Sequence, residues 1–226
     1  TEYTLTTGFD VSSASVVDSF SVSTQEDDPA GLAFNNDGTK MFVVGTKDSD
    51  DDVYEYTLTT GFDVSTASYV DSFDPEISNP AGVTFNRSGS RMFVSSGSER
   101  KIYEFSLSTA FDISTASSTG NFSTSSPAAT PQDVTFNDDG TKMFTVGWEN
   151  DAVMEYTLSC AYKVTSSSTC DDPSTIKEVV ASIEAQTVSV KRFAKQSSDS
   201  VLKRLSFIKS HKKDYIIMVK LNLTVY

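Results

Sequence analysis

The sequence predicts an all-β chain of repeated four-stranded antiparallel sheets, on three observations. The phrase GLAFNNDGTKMFVVG at Gly31 returns as GVTFNRSGSRMFVSSG at Gly82 and as DVTFNDDGTKMFTVG at Asp133. The interval is constant, because Phe34, Phe85 and Phe136 are 51 residues apart, as are Met41, Met92 and Met143. A second phrase, EYTLTTGFDVSSAS at Glu2, recurs almost unchanged at Glu55, as EFSLSTAFDISTAS at Glu104 and in degraded form as EYTLSCAYKVTSSS at Glu155.

Each unit contains about four short segments. In GLAFN and KMFVVG the apolar residues are mostly β-branched or aromatic, and the intervening NNDG or NDDG has residues that tolerate positive φ in a tight turn, so these are two antiparallel strands. VYEYTLT from Val53 sets Val53, Glu55 and Thr57 on one side and Tyr54, Tyr56 and Leu58 on the other, a strand with unlike faces. SYVDSFD from Ser68 alternates weakly and precedes the proline that opens the next unit.

A period near 50 built of four antiparallel strands has the size of a β-propeller blade, and the 3.6-residue period of a helical solenoid is absent. FNNDGTKMFVVG followed by VYEYTL resembles the propeller repeats that carry a phenylalanine, an Asn/Asp-Gly turn and a following apolar strand. The resemblance covers residues 1 to about 170 and implies a partial β-propeller of about three blades, each buried against its neighbours. Closed propellers usually have four to eight blades. The expectation is therefore an open arc, or blades upstream of a chain that opens on Thr1 in mid-repeat. Fold leaves function open, since propellers host many unrelated activities.

The chain has two cysteines, Cys160 and Cys170. Cys160 replaces Thr7, Thr60 and Thr109 of the earlier units, and Cys170 falls where Val17 and Val70 lie in the fourth strand. A disulfide pinning the last hairpin is expected, with two reduced thiols as the alternative; a bridge would place the protein in an oxidising compartment.

After Pro173 the pattern changes. Apolar or small residues at Ile176, Val180, Ile183, Thr187, Val190 and Ala194 continue to Ile208 at spacings of three and four, which predicts an amphipathic helical linker over 171–212. DYIIMVKLNLTVY then alternates as a terminal strand over 213–226, ending at Tyr226. Residues 170 to 223 resemble the linker that joins bacterial surface repeats to an outer-membrane β-barrel in marine autotransporter-like proteins. That resemblance implies a surface location and membrane association through a C-terminal barrel; the plain alternative is a helix and strand packed on the propeller. No secretory leader and no apolar run long enough to span a membrane are visible.

The net charge of −13 divides into −17 over residues 1 to 170 and +4 over residues 171 to 226. An acidic array repels a phosphate backbone, so nucleic acid is excluded as a partner. The run KDSDDDV puts Asp48, Asp50, Asp51 and Asp52 in one loop. These carboxylates are the weak candidates for a Ca²⁺ site, but the spacing is not that of a calcium loop and the equivalent loops do not repeat the ligands. A solvated acidic loop is the main reading, and no cofactor is expected. Asp37 and Asp139 beside Gly38 and Gly140 read as turn residues. Glu55, Glu104 and Glu155 recur on a strand, either ringing a central channel or pairing with neighbouring strands. His211 is the sole candidate base for a Ser-His pair and lies in the basic tail, so no catalytic residue is assigned. Trp148, in a blade loop, marks a possible binding edge.

These readings favour a non-enzymatic extracellular or cell-surface module that binds an unknown protein or glycan and is tethered through its tail. The rivals are a metal-dependent hydrolase or lactonase of propeller type and a trimeric fibre component.

Overall fold

The structure is a computed structural model that describes residues 1–46, 51–125, 130–147, 149, 151–165 and 170. The chain divides into units Thr1–Cys170 and Asp171–Tyr226. The helical linker and terminal strand expected after residue 170, with His211 and Tyr226, lie outside the described residues, as do Asp48, Asp50 and Trp148.

Among the described residues thirteen strands form four antiparallel meanders. Strands β1 (Glu2–Leu5) and β2 (Ala14–Asp18) make a two-stranded hairpin. The first complete blade is β3 (Pro29–Phe34), β4 (Lys40–Gly45), β5 (Val53–Leu58) and β6 (Ala67–Phe73), paired in that order. The second is β7 (Pro80–Phe85), β8 (Arg91–Ser96), β9 (Lys101–Leu107) and β10 (Ala116–Ser123). A three-stranded sheet of β11 (Pro131–Phe136), β12 (Lys142–Gly147) and β13 (Ala152–Thr157) follows. These are the blades of a partial β-propeller, with β1 and β2 in the place of a blade's outer pair.

Local chemistry fixes each blade. The turn between first and second strands holds Gly38, Gly89 or Gly140 at φ of +72°, +70° and +66°, the left-handed region that glycine enters without penalty. Asp37 and Asp139 brace the turn. The Asp37 carboxylate accepts from the Thr39 hydroxyl at 2.6 Å and N–H at 3.1 Å, and these two bonds, the hydroxyl first, hold its pKa below the usual carboxylate value. The turn role read from sequence is thus the one the structure shows.

A second contact closes the same turn from outside. Phe62, Phe111 and Tyr162 also take positive φ, at 63°, 54° and 52°, which costs a side-chain-bearing residue roughly 1–2 kcal/mol. Their rings cover the turn glycines, and the Phe111 N–H donates to the Gly89 carbonyl at 2.9 Å. Asp63 and Asp112 then cap short 3₁₀ turns, Val64–Thr66 and Ile113–Thr115, by accepting from Ser65 and Ser114.

The two faces expected for the third strand are present: Val53 joins the core shared with the next blade, whereas Tyr54, Tyr56 and Leu58 join one with Phe20 and Val22. Val53, Tyr54, Glu55, Tyr56 and Leu58 of β5 are all buried, leaving Thr57 exposed. Both faces of β5 are buried because the next blade covers one and the segment holding Phe20 and Val22 covers the other. Phe42 of β4 meets Phe85 of β7 at 4.4 Å between ring centroids, and Phe93 of β8 meets Phe136 of β11 at 4.5 Å. Two apolar cores thus lie between consecutive blades rather than within one. Cys160 and Cys170 are disulfide-bonded. The fourth strand expected around Cys170 lies, apart from Cys170 itself, outside the described residues.

Candidate functional site

The repeated glutamates join the blades. Glu55 accepts at Oε1 from Lys40 of its own blade at 2.7 Å and at Oε2 from the Ile113 backbone N–H of the next blade at 3.2 Å. Glu104 repeats the arrangement with Arg91 and with the Val164 N–H at 2.9 Å, and Glu2 accepts from the Val64 N–H at 3.0 Å. A carboxylate has two oxygens to share, and a 3₁₀ turn presents an N–H that its own short helix leaves unused. The pairing alternative for these residues is the one observed for Glu55 and Glu104. Glu155 has Lys142 at 2.7 Å, and its side chain is half exposed.

The acidic loop is divided between described and undescribed residues. Asp51 accepts from the Asn79 backbone N–H of the following linker at 3.2 Å, and Asp52 also has an interaction partner. Among the described residues no group of three His, Cys, Asp or Glu side chains is placed to hold a metal ion.

A cavity of about 460 Å³ opens at the ends of the inner strands and spans all three blades. Its lining comes from positions one period apart. Asp28, Asn79 and Thr130 precede β3, β7 and β11, whereas Ala30, Ala81 and Gln132 are each second in those strands. Thr46 and Gly97 follow β4 and β8, and in sequence Trp148 is the next member of that series. The intervening residue is proline in every unit, Pro29, Pro80 and Pro131, so backbone is held constant while the flanking side chains change.

The polar groups differ in how far they are engaged. The Thr46 hydroxyl donates to the Asp28 carboxylate at 3.1 Å. The Ser98 hydroxyl donates to the Ser78 carbonyl at 2.9 Å. The Thr130 hydroxyl oxygen is buried with no hydrogen-bond partner among the described residues, an arrangement that costs free energy unless something occupies it. Sequence reading missed this site because its members share no motif. The available signal was the opposite one, positions where an otherwise faithful repeat departs from itself.

No family model matches the chain. No curated protein matches it either. Solved structures do. The Cps50 (Swd1) β-propeller domain of Myceliophteria thermophila aligns over 57% of this chain and 39% of its own, at 14% identity and TM-score 0.42. A protein provisionally named 6-phosphogluconolactonase from Bacteroides uniformis aligns over 58% and 37%, at 17% identity and TM-score 0.46. A similarly named Bacteroides fragilis protein aligns over 57% and 34%, at 11% identity and TM-score 0.43. The chain thus spans well under half the length of each.

Proposed function

We propose that the chain is a non-enzymatic binding module that takes a protein or carbohydrate ligand at the inner-strand mouth, displayed outside the cell and tethered through its tail to an outer-membrane β-barrel. One observation carries the binding role. The side chains that repeat are used up in turns and blade joints, while those that vary between units gather around one cavity. A scaffold of constant backbone with variable, mostly uncharged polar side chains suits recognition of hydroxyl and amide groups. The Cys160–Cys170 bridge supports an oxidising compartment, and the tail's resemblance to surface-protein linkers supports the tether.

The test is a screen of the full chain against immobilised neutral oligosaccharides and peptides, followed by titration of any hit into isotope-labelled protein. Amide shifts at Asn79, Ser98 and Gln132, with loss of affinity of about tenfold or more in Asn79→Ala and Gln132→Ala, are expected from losing one or two hydrogen bonds. Hits that shift other residues and ignore both substitutions would sink the assignment of the mouth.

A further inference from the structure

A second group of departures from the repeat lies at the other ends of the inner strands, away from the mouth. Three series change together there. Asn36 becomes Arg87 and then Asp138, Ala33 becomes Thr84 and Thr135, and Phe62 and Phe111 become Tyr162. Between the first two complete blades the Asn36 amide donates to the Arg87 carbonyl at 2.8 Å and ties the two turns together. Between β7–β8 and β11–β12 that tie has no counterpart among the described residues, because the Asp138 carbonyl accepts instead from the Tyr162 hydroxyl at 2.9 Å. A hollow of about 320 Å³ opens at this joint, with Arg87, Thr84, Asp138, Tyr162, Phe85 and Phe136 in its lining. The Arg87 side chain is exposed, and neither it nor Asp138 forms an ion pair among the described residues. Its charge reaches the far wall. Burial raises the Tyr162 phenol above its usual value, and the Arg87 guanidinium opposes that rise.

We propose that this hollow binds a uronate unit of an acidic oligosaccharide, its carboxylate on Arg87 and its ring hydroxyls on Asp138, Thr84 and the Tyr162 oxygen. The ligand class follows from the donors and acceptors in the wall. A guanidinium offers paired N–H groups that match a carboxylate. Asp138 has only acceptors to offer and so takes ligand hydroxyls, Thr84 donates or accepts, and Tyr162, whose hydrogen is engaged by the backbone, accepts. A phosphate would bring close to two negative charges against the Asp138 carboxylate. An acyl chain would leave the polar wall unpaired. The acidic array opposes any anion at long range, but that field is screened within about 8–10 Å at physiological salt, whereas the guanidinium acts at contact. The hollow shares no lining residue with the mouth, so the two sites stand or fall separately.

The experiment is titration of trimeric galacturonate and trimeric glucuronate into the isotope-labelled full chain, with their methyl esters and inorganic phosphate as comparisons. At least one uronate should shift the amides of Thr84, Arg87, Asp138 and Tyr162, and its ester should bind about tenfold or more weakly. Arg87→Gln should lose about tenfold or more, and Arg87→Lys, which keeps the charge without the paired N–H groups, should fall between. Both variants are checked for an unchanged urea midpoint. Arg100→Gln removes the same charge from the exposed pair with Glu149 and should bind as the wild type does. Shifts confined to Asn79, Ser98 and Gln132 would move the sugar to the mouth and overturn this site while leaving the mouth reading intact. No shift with either uronate, an ester or phosphate that binds as tightly, or full affinity in Arg87→Gln also overturns the proposal.

Discussion

Glu104 and Val164, 60 residues apart, are held together across two blades by one carboxylate oxygen accepting the backbone N–H at 2.9 Å. The other oxygen takes the Arg91 guanidinium, whose side chain is only 11% exposed. Replacing Glu104 by Gln therefore leaves a nearly buried cation without its counter-charge. Such a loss costs about 3–5 kcal/mol. The same change at Glu155, paired with Lys142 at the surface, should stay within about 1 kcal/mol. Urea midpoints of the two variants test the difference; equal midpoints would mean that the carboxylate does not join the blades.

Gly89→Ala should be costly for two independent reasons. Its φ of +70° disfavours any Cβ, and a Cβ there would sit 2.2 Å from the Phe111 ring. Backbone strain of roughly 1–2 kcal/mol and overpacking of roughly 1–3 kcal/mol add to a lowered thermal midpoint. Gly8→Ala is the control, because nothing lies within 4 Å of a Cβ at that position. A midpoint for Gly89→Ala equal to that of Gly8→Ala would remove the ring from the account.

The blades were readable because a turn and its flanking strands are local. Asn35 through Gly38 and the β-branched runs beside them state a hairpin within a dozen residues. The role of Glu55 was not readable, since its partner Ile113 is 58 residues away and depends on how one blade stacks on the next. The burial of both faces of β5 was not readable either, because alternation separates two faces without saying what covers each. The cavity was hidden differently. Asn79, Thr130 and Gln132 are ordinary loop-edge residues alone and become a site when three strand ends converge.

Reducing Cys160–Cys170 should loosen the last hairpin while the inner blades hold. In the chain-entropy treatment a loop of 10 residues contributes about 2.5–3 kcal/mol. Hydrogen exchange should accelerate at Leu158 and Tyr162, whose N–H groups donate to Thr141 and Gly140, and remain slow at Leu107 and Phe111. Alkylation of the non-reduced protein followed by mass measurement should find neither thiol labelled. Two labelled thiols would remove the structural support for an oxidising compartment.

Tyr56 offers a test in which the expected sign is stabilisation. Its side chain is fully buried, and its hydroxyl has no hydrogen-bond partner among the described residues. The next blade has Phe105 at the same position, so the site accepts a ring without oxygen. Tyr56→Phe should raise stability at neutral pH by about 1 kcal/mol by removing the unpaired polar group. Burial first, with the nearby Tyr69 and Glu26 adding to it, pushes the Tyr56 phenol up from 10.0 to about 12. A phenol that ionises later in the folded state contributes stability that is fully present below pH 10 and is lost as pH rises through 12. The wild type should therefore lose urea resistance across that window more steeply than Tyr56→Phe. Parallel pH profiles for the two proteins would show that Tyr56 is solvated, and a destabilised variant at pH 7 would show that its hydroxyl has a partner.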